Sequence, residues 1–516
     1  MMFVPQTAVS REALVPANSR MKRVVIIGGG VTGLAAAHRL VELRRERGLD
    51  LDVILLESSA RLGGVIQTEH RDGFLLERGP DSFLSEKPEA IALAKRLGLE
   101  PHLVQTNKEH RRSFIVRQSR LRPVPEGFHL LAPARLWPFV TSDIFSWSGK
   151  ARMAMDLLLP RGTGNDCADE SLAQFVRRRF GREALERMAQ PMVGGIYTAD
   201  PEKLSLRATM PRFLEMERTD RSLILGMRKR ARKERDVTTA TSGARYSLFL
   251  SFDCGMQMLI DRLSAQLPQG TVRLNARVDS LKFDRGPGDW IINKISGDSI
   301  RADAVCIAIP AYAAASLLRE TDASLSAELD SIPYASTATI NLTYRRSDIP
   351  HTLDGFGFVV PFVENRSLLA CTFSSVKFTH RAPRGLALLR VFVGGALQPE
   401  MFVLDEDEMI QRVRADLRDL LGVEEPPIFC EVTKWSRSMP QYHVGHLDRL
   451  IRIHGLARQL SNLKLAGNAY SGPGISACIQ GGEHAANEIL AGCGKTDLEC
   501  GGKPVIPSTA SVLGWS

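Results

Sequence analysis

The chain is poor in aromatic residues: five tryptophans, seven tyrosines and 21 phenylalanines make up 6% of it. It lacks an apolar run of about eighteen residues, so no segment qualifies as a membrane-spanning helix. Cysteine is sparse and scattered, at Cys167, Cys254, Cys306, Cys371, Cys430, Cys478, Cys493 and Cys500. There is no CxxC pair and no His/Cys group at zinc spacing, which excludes a disulfide-stapled scaffold and a structural metal site and suits reduced thiols in a cytosolic compartment. Neither sign of charge dominates: 67 Lys+Arg against 58 Asp+Glu give +9, too diffuse an excess to argue for nucleic acid. Much of it falls in one run, Arg228, Lys229, Arg230, Arg232, Lys233 and Arg235, which reads as a solvated linker. Residues 1–20 lack the long apolar stretch of a signal peptide and read as a disordered leader, as residues 493–516 read as a disordered tail.

What remains is an ordinary globular composition, 44% apolar and 24% charged over 516 residues, enough for about three domains. Arg23-Val-Val-Ile-Ile27 is a short β-branched run of the kind that fills a strand buried on both faces. Gly28-Gly29-Gly30-Val31-Thr32-Gly33 follows, then a helix beginning Leu34-Ala-Ala-Ala. Strand, tight glycine turn and helix N-terminus together form a site for a pyrophosphate. Gly28 permits the turn, Gly30 lets backbone approach the phosphates, and Gly33 lets helix and strand pack closely. A second strand, Leu51–Leu56, ends at Glu57, where a carboxylate can accept hydrogen bonds from a ribose diol. Arg61-Leu62-Gly63-Gly64 comes next, with Thr68 beyond.

Further along, Gly73–Leu84 reads as a strand running into a Gly79-Pro80 turn, and Pro88–Leu97 as a short amphipathic helix stopped by Gly98. Residues 113–117 and 121–125 suggest a hairpin turning at Gln118-Ser119-Arg120. Segment 129–160 mixes Trp137, Phe139, Phe145 and Trp147 with Arg135, Lys150 and Arg152. It suits either a monotopic surface dipping into a bilayer or a helical subdomain packing its own core. Residues 171–190 have helical periodicity, which Gln190-Pro191 and Gly194-Gly195 are expected to break. Strands are expected at Ser247–Phe252, Val272–Val278, Trp290–Ile292 and Ala304–Ala308, and again at Ala338–Tyr344, Gly357–Val360, Leu368–Phe373 and Ala387–Val393. Met409–Leu421 and a final stretch from about Ser476 to Leu490 read as helices.

Strand, GxGxxG, helix, strand, acid and RxGG together resemble the FAD-binding start of amine-oxidase-type flavoproteins. Glu77–Leu84 (ERGPDSFL), Gln190–Ser205 (QPMVGGIYTADPEKLS), Ile332–Ala338, Gly355–Pro361 (GFGFVVP), Met439–His446 (MPQYHVGH) and Ala466–Gly482 narrow the resemblance to the protoporphyrinogen and coproporphyrinogen oxidases of the haem pathway. It spans about residues 21–492 and implies an α/β with α+β architecture. A discontinuous Rossmann-like FAD-binding domain would comprise residues 21–110, 246–310 and 441–492. Residues 111–245 would form a helical membrane-binding and substrate region, and 311–440 a β-rich substrate domain.

The resemblance also implies roles. Gly28, Gly29, Gly30, Val31, Thr32 and Gly33 would hold the FAD pyrophosphate, and Glu57 with Ser58 the adenosine ribose. Arg61, Gly64, Val65, Gly79, Pro80, Asp81 and Ser82 would lie along the flavin, and Val278 would present backbone to the adenine. Asn468, Pro473, Gly474 and Ile475 would close over the ribityl chain and the pyrimidine edge. The tetrapyrrole would pack on Val359, Thr372 and Phe392, with Gly194, Gly195 and Ile196 beside the reacting bridge. Eukaryotic members place an arginine where this chain has Ser113, so the propionate partner is open among Arg112, Arg117 and Lys87.

The implied reaction is protoporphyrinogen IX to protoporphyrin IX. It removes six electrons over three flavin cycles, each closed by dioxygen with release of peroxide. Coproporphyrinogen III as substrate is the competing reading. Another amine-oxidase-type flavoenzyme, or a flavin-free binding protein of the same fold like the GDP-dissociation inhibitors, is further off. No side chain in these motifs has the surroundings of a required general base, and no metal is implied. A peripheral location on the cytoplasmic membrane face and a homodimer are further expectations of the resemblance.

Overall fold

The computed structural model describes residues 22–129, 131–133, 135–162, 169–240 and 248–493. The expected leader and tail, and Cys167 and Cys500, lie outside them. Five short parallel strands form the dinucleotide-type sheet, in the order Val272–Arg273, Leu51–Leu56, Lys22–Ile27, Ala304–Ile307 and Leu463–Leu465. The central strand is apolar because both of its faces are covered. Val24 and Ile26 pack with the first helix, Val31–Arg47, and the last, Ile475–Cys493. Val25 and Ile27 join a second core shared with the helical region. The strand expected over 272–278 stops at Arg273 and restarts at Val278, with Asn275 at φ +53° between. There Asn275 N–H donates to the Ser59 carbonyl and Ala276 N–H to that of Glu57, so pairing beside the second strand replaces a continuous ladder.

A seven-stranded sheet makes the second layer, in the order Phe429–Pro440, Tyr334–Arg345, Leu386–Gly394, Ala370–Phe373, Gly357–Val359, Phe114–Arg117 and Arg120–Pro123. Only the 357–359/114–117 pair is parallel. The hairpin at 114–123 therefore completes this sheet, with Gln118 and Ser119 both at positive φ in its turn. Alternation divides the faces. Ile340, Leu342, Phe358, Phe373, Leu389 and Val391 pack with Val413 and Leu417 of helix Glu406–Leu421. The opposite face carries Val359, Ala370, Thr372, Arg390 and Phe392, paired in two rows: Val359 with Ala370 with Phe392, and Gly357 with Thr372 with Arg390.

The helical region corrects three expectations. Residues Gln190–Tyr197 are a helix, entered through a π-helical turn at Leu185–Ala189 and ended by Thr198 in the left-handed conformation. Pro191, which has no N–H to donate, follows closely on this π-helical turn. The basic run falls in helix Leu223–Ala240 rather than a linker. Within 129–160, Phe139 and Phe145 are core, 4% and 2% exposed, packed on each other and on Phe128. Their cations are engaged as well: Arg135 pairs with Glu126, Lys150 Nζ donates to the Val140 carbonyl at 2.7 Å, and Arg152 donates to the carbonyls of Arg177, Arg178 and Arg179. Trp137 and Trp147 alone of the four aromatics face outward, at 76% and 74%. Among the described residues no helix is long and apolar enough to cross a membrane.

The first and last helices touch backbone to backbone. A Cβ at Gly482 would overlap the Thr32 carbonyl, whereas one at Gly455, in helix His446–Ala457, would meet nothing within 4 Å. Glycine to alanine in a free helical site stabilises by about 1 kcal/mol. Gly455→Ala should therefore raise the denaturation midpoint and Gly482→Ala should lower it. A rise in both, measured by thermal melts, would show that the two helices do not need this contact.

Candidate functional site: a dinucleotide cradle facing a sheet platform

The glycine loop is shaped by its neighbours. Gly28, at φ +109°, donates its N–H to Leu56, and a Cβ at Gly33 would overlap the Gly28 carbonyl, so helix and strand close on each other here. A Cβ at Gly30 would meet nothing within 4 Å. That open space lies at the N-terminus of a 17-residue helix with no side-chain cap and no acid in its first turn, which leaves the positive end of the helix for an anion. Glu57 folds toward it, accepting from Gly29 N–H at 2.6 Å and Ser59 N–H at 2.8 Å, with Ser58 Oγ at 3.2 Å. Gly63 N–H donates to the Gly29 carbonyl, bringing the RxGG turn over the loop. Arg61 spends its guanidinium on the carbonyls of Leu62, Gly64 and Ile66: it shapes this turn.

Residues 77–82 run between the two sheets. Asn341 Nδ2 donates to the Glu77 carbonyl at 3.3 Å, Thr339 Oγ1 and Trp435 Nε1 to that of Arg78 at 2.8 and 3.0 Å, and Arg390 to that of Gly79. Asp81 pairs with Lys377 at 2.8 Å, and Ser82 Oγ lies 2.7 Å from Asp81 Oδ1. Burial works against the Asp81 carboxylate, yet the Lys377 ammonium and Arg390 guanidinium outweigh it and hold its pKa well below the usual carboxylate range. Val65 is exposed beside this strap, and a Cβ on Gly79 would overlap its carbonyl. Val278 begins its strand three residues beyond Asn275.

At the far end, Asn468 starts a short helix. Its Nδ2 donates to the Ser438 carbonyl and its own carbonyl accepts from Tyr442 Oη at 2.6 Å. Gly472 and Pro473, just before Gly474 and Ile475, line a small cavity with Lys87, Tyr197, Tyr442, His446 and Tyr470. Burial depresses His446 to about 4, against the pull of its bond to the Ala469 carbonyl. Its Nδ1 and the hydroxyl of Tyr470 are buried and have no protein partner. Two unanswered hydrogen-bonding atoms make this a water-sized niche beside the start of the last helix; the open space at Gly30 fits the phosphates of a dinucleotide.

The residues expected around the substrate divide. Val359, Thr372 and Phe392 share the sheet face turned to the strap. Gly195 approaches Val359, its Cβ position 3.8 Å from Val359 Cγ1. Gly195 and Ile196 are exposed while Gly194 is buried. Arg112 is exposed, with its Nη1 3.1 Å from Asp354 Oδ2 in a surface ion pair. Arg117 sits on the hairpin at the sheet edge, cross-strand from Arg120. Lys87 lines the cavity, and burial lowers its pKa. Sequence reasoning missed Arg390, Lys377, Tyr470 and His446. An arginine inside the apolar stretch Leu386–Gly394 was the available signal for the first.

Comparison with known proteins matches residues 31–490 to the flavin containing amine oxidoreductase family. A coproporphyrinogen III oxidase from Bacillus subtilis (strain 168) is 37% identical over 91% of this chain and 98% of its own length. A chloroplastic protoporphyrinogen oxidase from Nicotiana tabacum is 30% identical over 90% of this chain and 85% of its own. A crystal structure provisionally described as a protoporphyrinogen oxidase, from Exiguobacterium sp. 255-15, superposes with a TM-score of 0.80 at 30% identity, covering 92% of this chain and 100% of that one.

Gly30→Val separates cradle from scaffold. The space around Gly30 accepts a Cβ without touching protein, so the variant should fold with an unchanged circular dichroism spectrum. It should lose the yellow cofactor, because a branched side chain would fill the phosphate space. Full flavin occupancy in the variant would place the phosphates elsewhere.

Proposed function

The chain belongs to the flavin containing amine oxidoreductases, with FAD as cofactor, and on that premise we propose that it oxidises coproporphyrinogen III to coproporphyrin III in haem biosynthesis. The observation that carries this choice is the 37% identity, over nearly the whole of both chains, to the B. subtilis enzyme of that name. Protoporphyrinogen IX, the first expectation from sequence, is the second reading, favoured by the tobacco relative at 30%. Both substrates undergo the same oxidation. The porphyrinogen gives up six hydrogens, and three dioxygen molecules take them up as three hydrogen peroxides.

Bound FAD supplies the two-electron oxidation. The protein's part is to hold and orient. The glycine loop and the positive end of the first helix take the diphosphate, and Glu57 takes the ribose. The Gly79–Ser82 strap and the Gly472–Ile475 turn frame the ring system. The platform of Val359, Thr372 and Phe392, faced by Gly195 and Ile196, offers flat apolar contact to a macrocycle. Rates on coproporphyrinogen III and protoporphyrinogen IX, measured side by side with a matched flavin content, decide the substrate. A higher kcat/KM for coproporphyrinogen supports the first reading and the reverse supports the second.

We further propose peripheral membrane association through residues 136–158. Leu136, Trp137, Val140, Trp147 and Leu158 are exposed apolar groups there. Lys150 ties the two short helices together, bonded to Val140 and lying 4.3 Å from the Trp147 ring centroid. Exposed tryptophans on a small apolar surface suit the headgroup boundary. Trp137→Ser with Trp147→Ser should cut co-sedimentation with anionic liposomes severalfold while leaving the melting temperature within about 1 °C, as expected of exposed sites. Equal partitioning of variant and parent would remove the membrane from this reading.

A further inference from the structure

Arg390 is a buried cation in an unusual position. It is 3% exposed, at the centre of an apolar strand, and makes no ion pair among the described residues. Its Nη2 donates to the Gly79 carbonyl, while its Nε has no partner. Burial lowers its pKa; the nearby carboxylates of Asp81 and Glu77 offset part of that. A charge that costs this much to bury is here held over one residue in particular: the guanidinium carbon lies 4.7 Å from the ring centroid of Phe392, two positions along the strand on the same face. Phe392 is only half-buried, so its ring keeps surface open beside Ala370 and Val359.

We propose that Arg390 and Phe392 act as one unit, a cation-polarised ring that favours the electron-rich, reduced tetrapyrrole over the conjugated product. The inference rests on the porphyrinogen reading above and adds a specificity device to it. A cation against a phenyl ring draws its π-density toward itself. A ring so depleted stacks better on an electron-rich partner. The pyrroles of a porphyrinogen are isolated by saturated bridges and rich in electrons; those of the porphyrin are joined in one conjugated system. Preference for the first promotes binding of substrate and release of product. Arg390 is thus a positioning residue: it acts through Phe392 and fixes the Gly79 carbonyl at the same time.

The test uses the FAD-loaded enzyme, with flavin content matched by absorbance. Arg390→Met should raise KM for the porphyrinogen about five- to tenfold, between the exposed and the desolvated values of a cation–π contact. Affinity for the porphyrin, read by quenching of its fluorescence, should change less than about twofold. Pentafluorophenylalanine at position 392, a ring depleted by its own substituents, should restore KM in the Arg390→Met background; a purely structural arginine gives no such rescue. Should Arg390→Met fail to hold flavin, Arg390→Lys, which shortens and hydrates the cation, is carried through the same rescue. An unchanged KM, an equal loss of porphyrin and porphyrinogen binding, or no rescue would each overturn the inference. Failure of the parent enzyme to oxidise either porphyrinogen would instead overturn the function it rests on.

Discussion

The grip on residues 77–82 is the constraint on which this molecule depends. Of these six residues, which belong by sequence to the dinucleotide fold, Glu77, Arg78 and Gly79 have successive carbonyls bonded by side chains of the other sheet: Asn341, Thr339, Trp435 and Arg390. The same stretch is tied back to its own domain, where the Glu77 carboxylate accepts from Met256 N–H and the Asp81 carbonyl accepts from Ser251 Oγ. Desolvating so many polar and charged groups returns little net stability. What it returns is register. The cradle and the platform cannot slide past one another without leaving several of these groups unbonded.

That register is what the chemistry needs. The proposed reaction requires a flavin at the cradle and a macrocycle on the platform to meet within a fraction of an ångström, because a near-attack geometry falls away steeply with displacement. The burial of Lys377 and Arg390 near Asp81 explains why the joint is charged instead of apolar. Hydrophobic groups would tolerate sliding, whereas the Asp81 carboxylate, bonded to Lys377 Nζ and Ser82 Oγ, has one satisfactory position. The π-helical turn at Leu185–Ala189 has a comparable part on the other wall. It leads into the helix that carries Gly195 and Ile196, and that wall is anchored to the sheet by Arg187 on Glu364 and by Phe362 N–H on Gln190 Oε1 at 2.8 Å.

Much of this was legible in the residues, for reasons that are local. The glycine spacing at 28–33 and Glu57 after an apolar strand encode a βαβ unit within one short window, and Gln118-Ser119 encodes a tight turn in the same way. The cradle residues were accessible because they are backbone-determined. What stayed hidden depended on distant partners. Arg390 looks like any charge in a strand until Gly79 and Phe392 are placed beside it. Phe139 and Phe145 have the same composition context as Trp137 and Trp147, and only the packing of Phe128 on them separates core from surface. Gln190–Tyr197 holds a proline and two glycines, and the helix survives because tertiary contact with the sheet overrides propensity. The ion pair of Arg112 with Asp354, far along the chain, was hidden in the same way.

The parallel sheet has one more consequence, for the order in which the protein can be made. Its central strand pairs Val25 with Val305, and Val305 pairs with Leu463. A ribosome emitting the chain from its amino end exposes the apolar strand at Lys22–Ile27 long before its neighbour at Ala304–Ile307 exists, and the last strand and the capping helix come later still. Contacts of such sequence separation form slowly, and an unpaired apolar edge aggregates. The strand at Lys22–Ile27 therefore waits with one edge unpaired until the strand at Ala304–Ile307 has been made. The helix starting at Ile475, which docks against the one starting at Val31, is among the last parts made, so that joint belongs to the finished chain and to no earlier species.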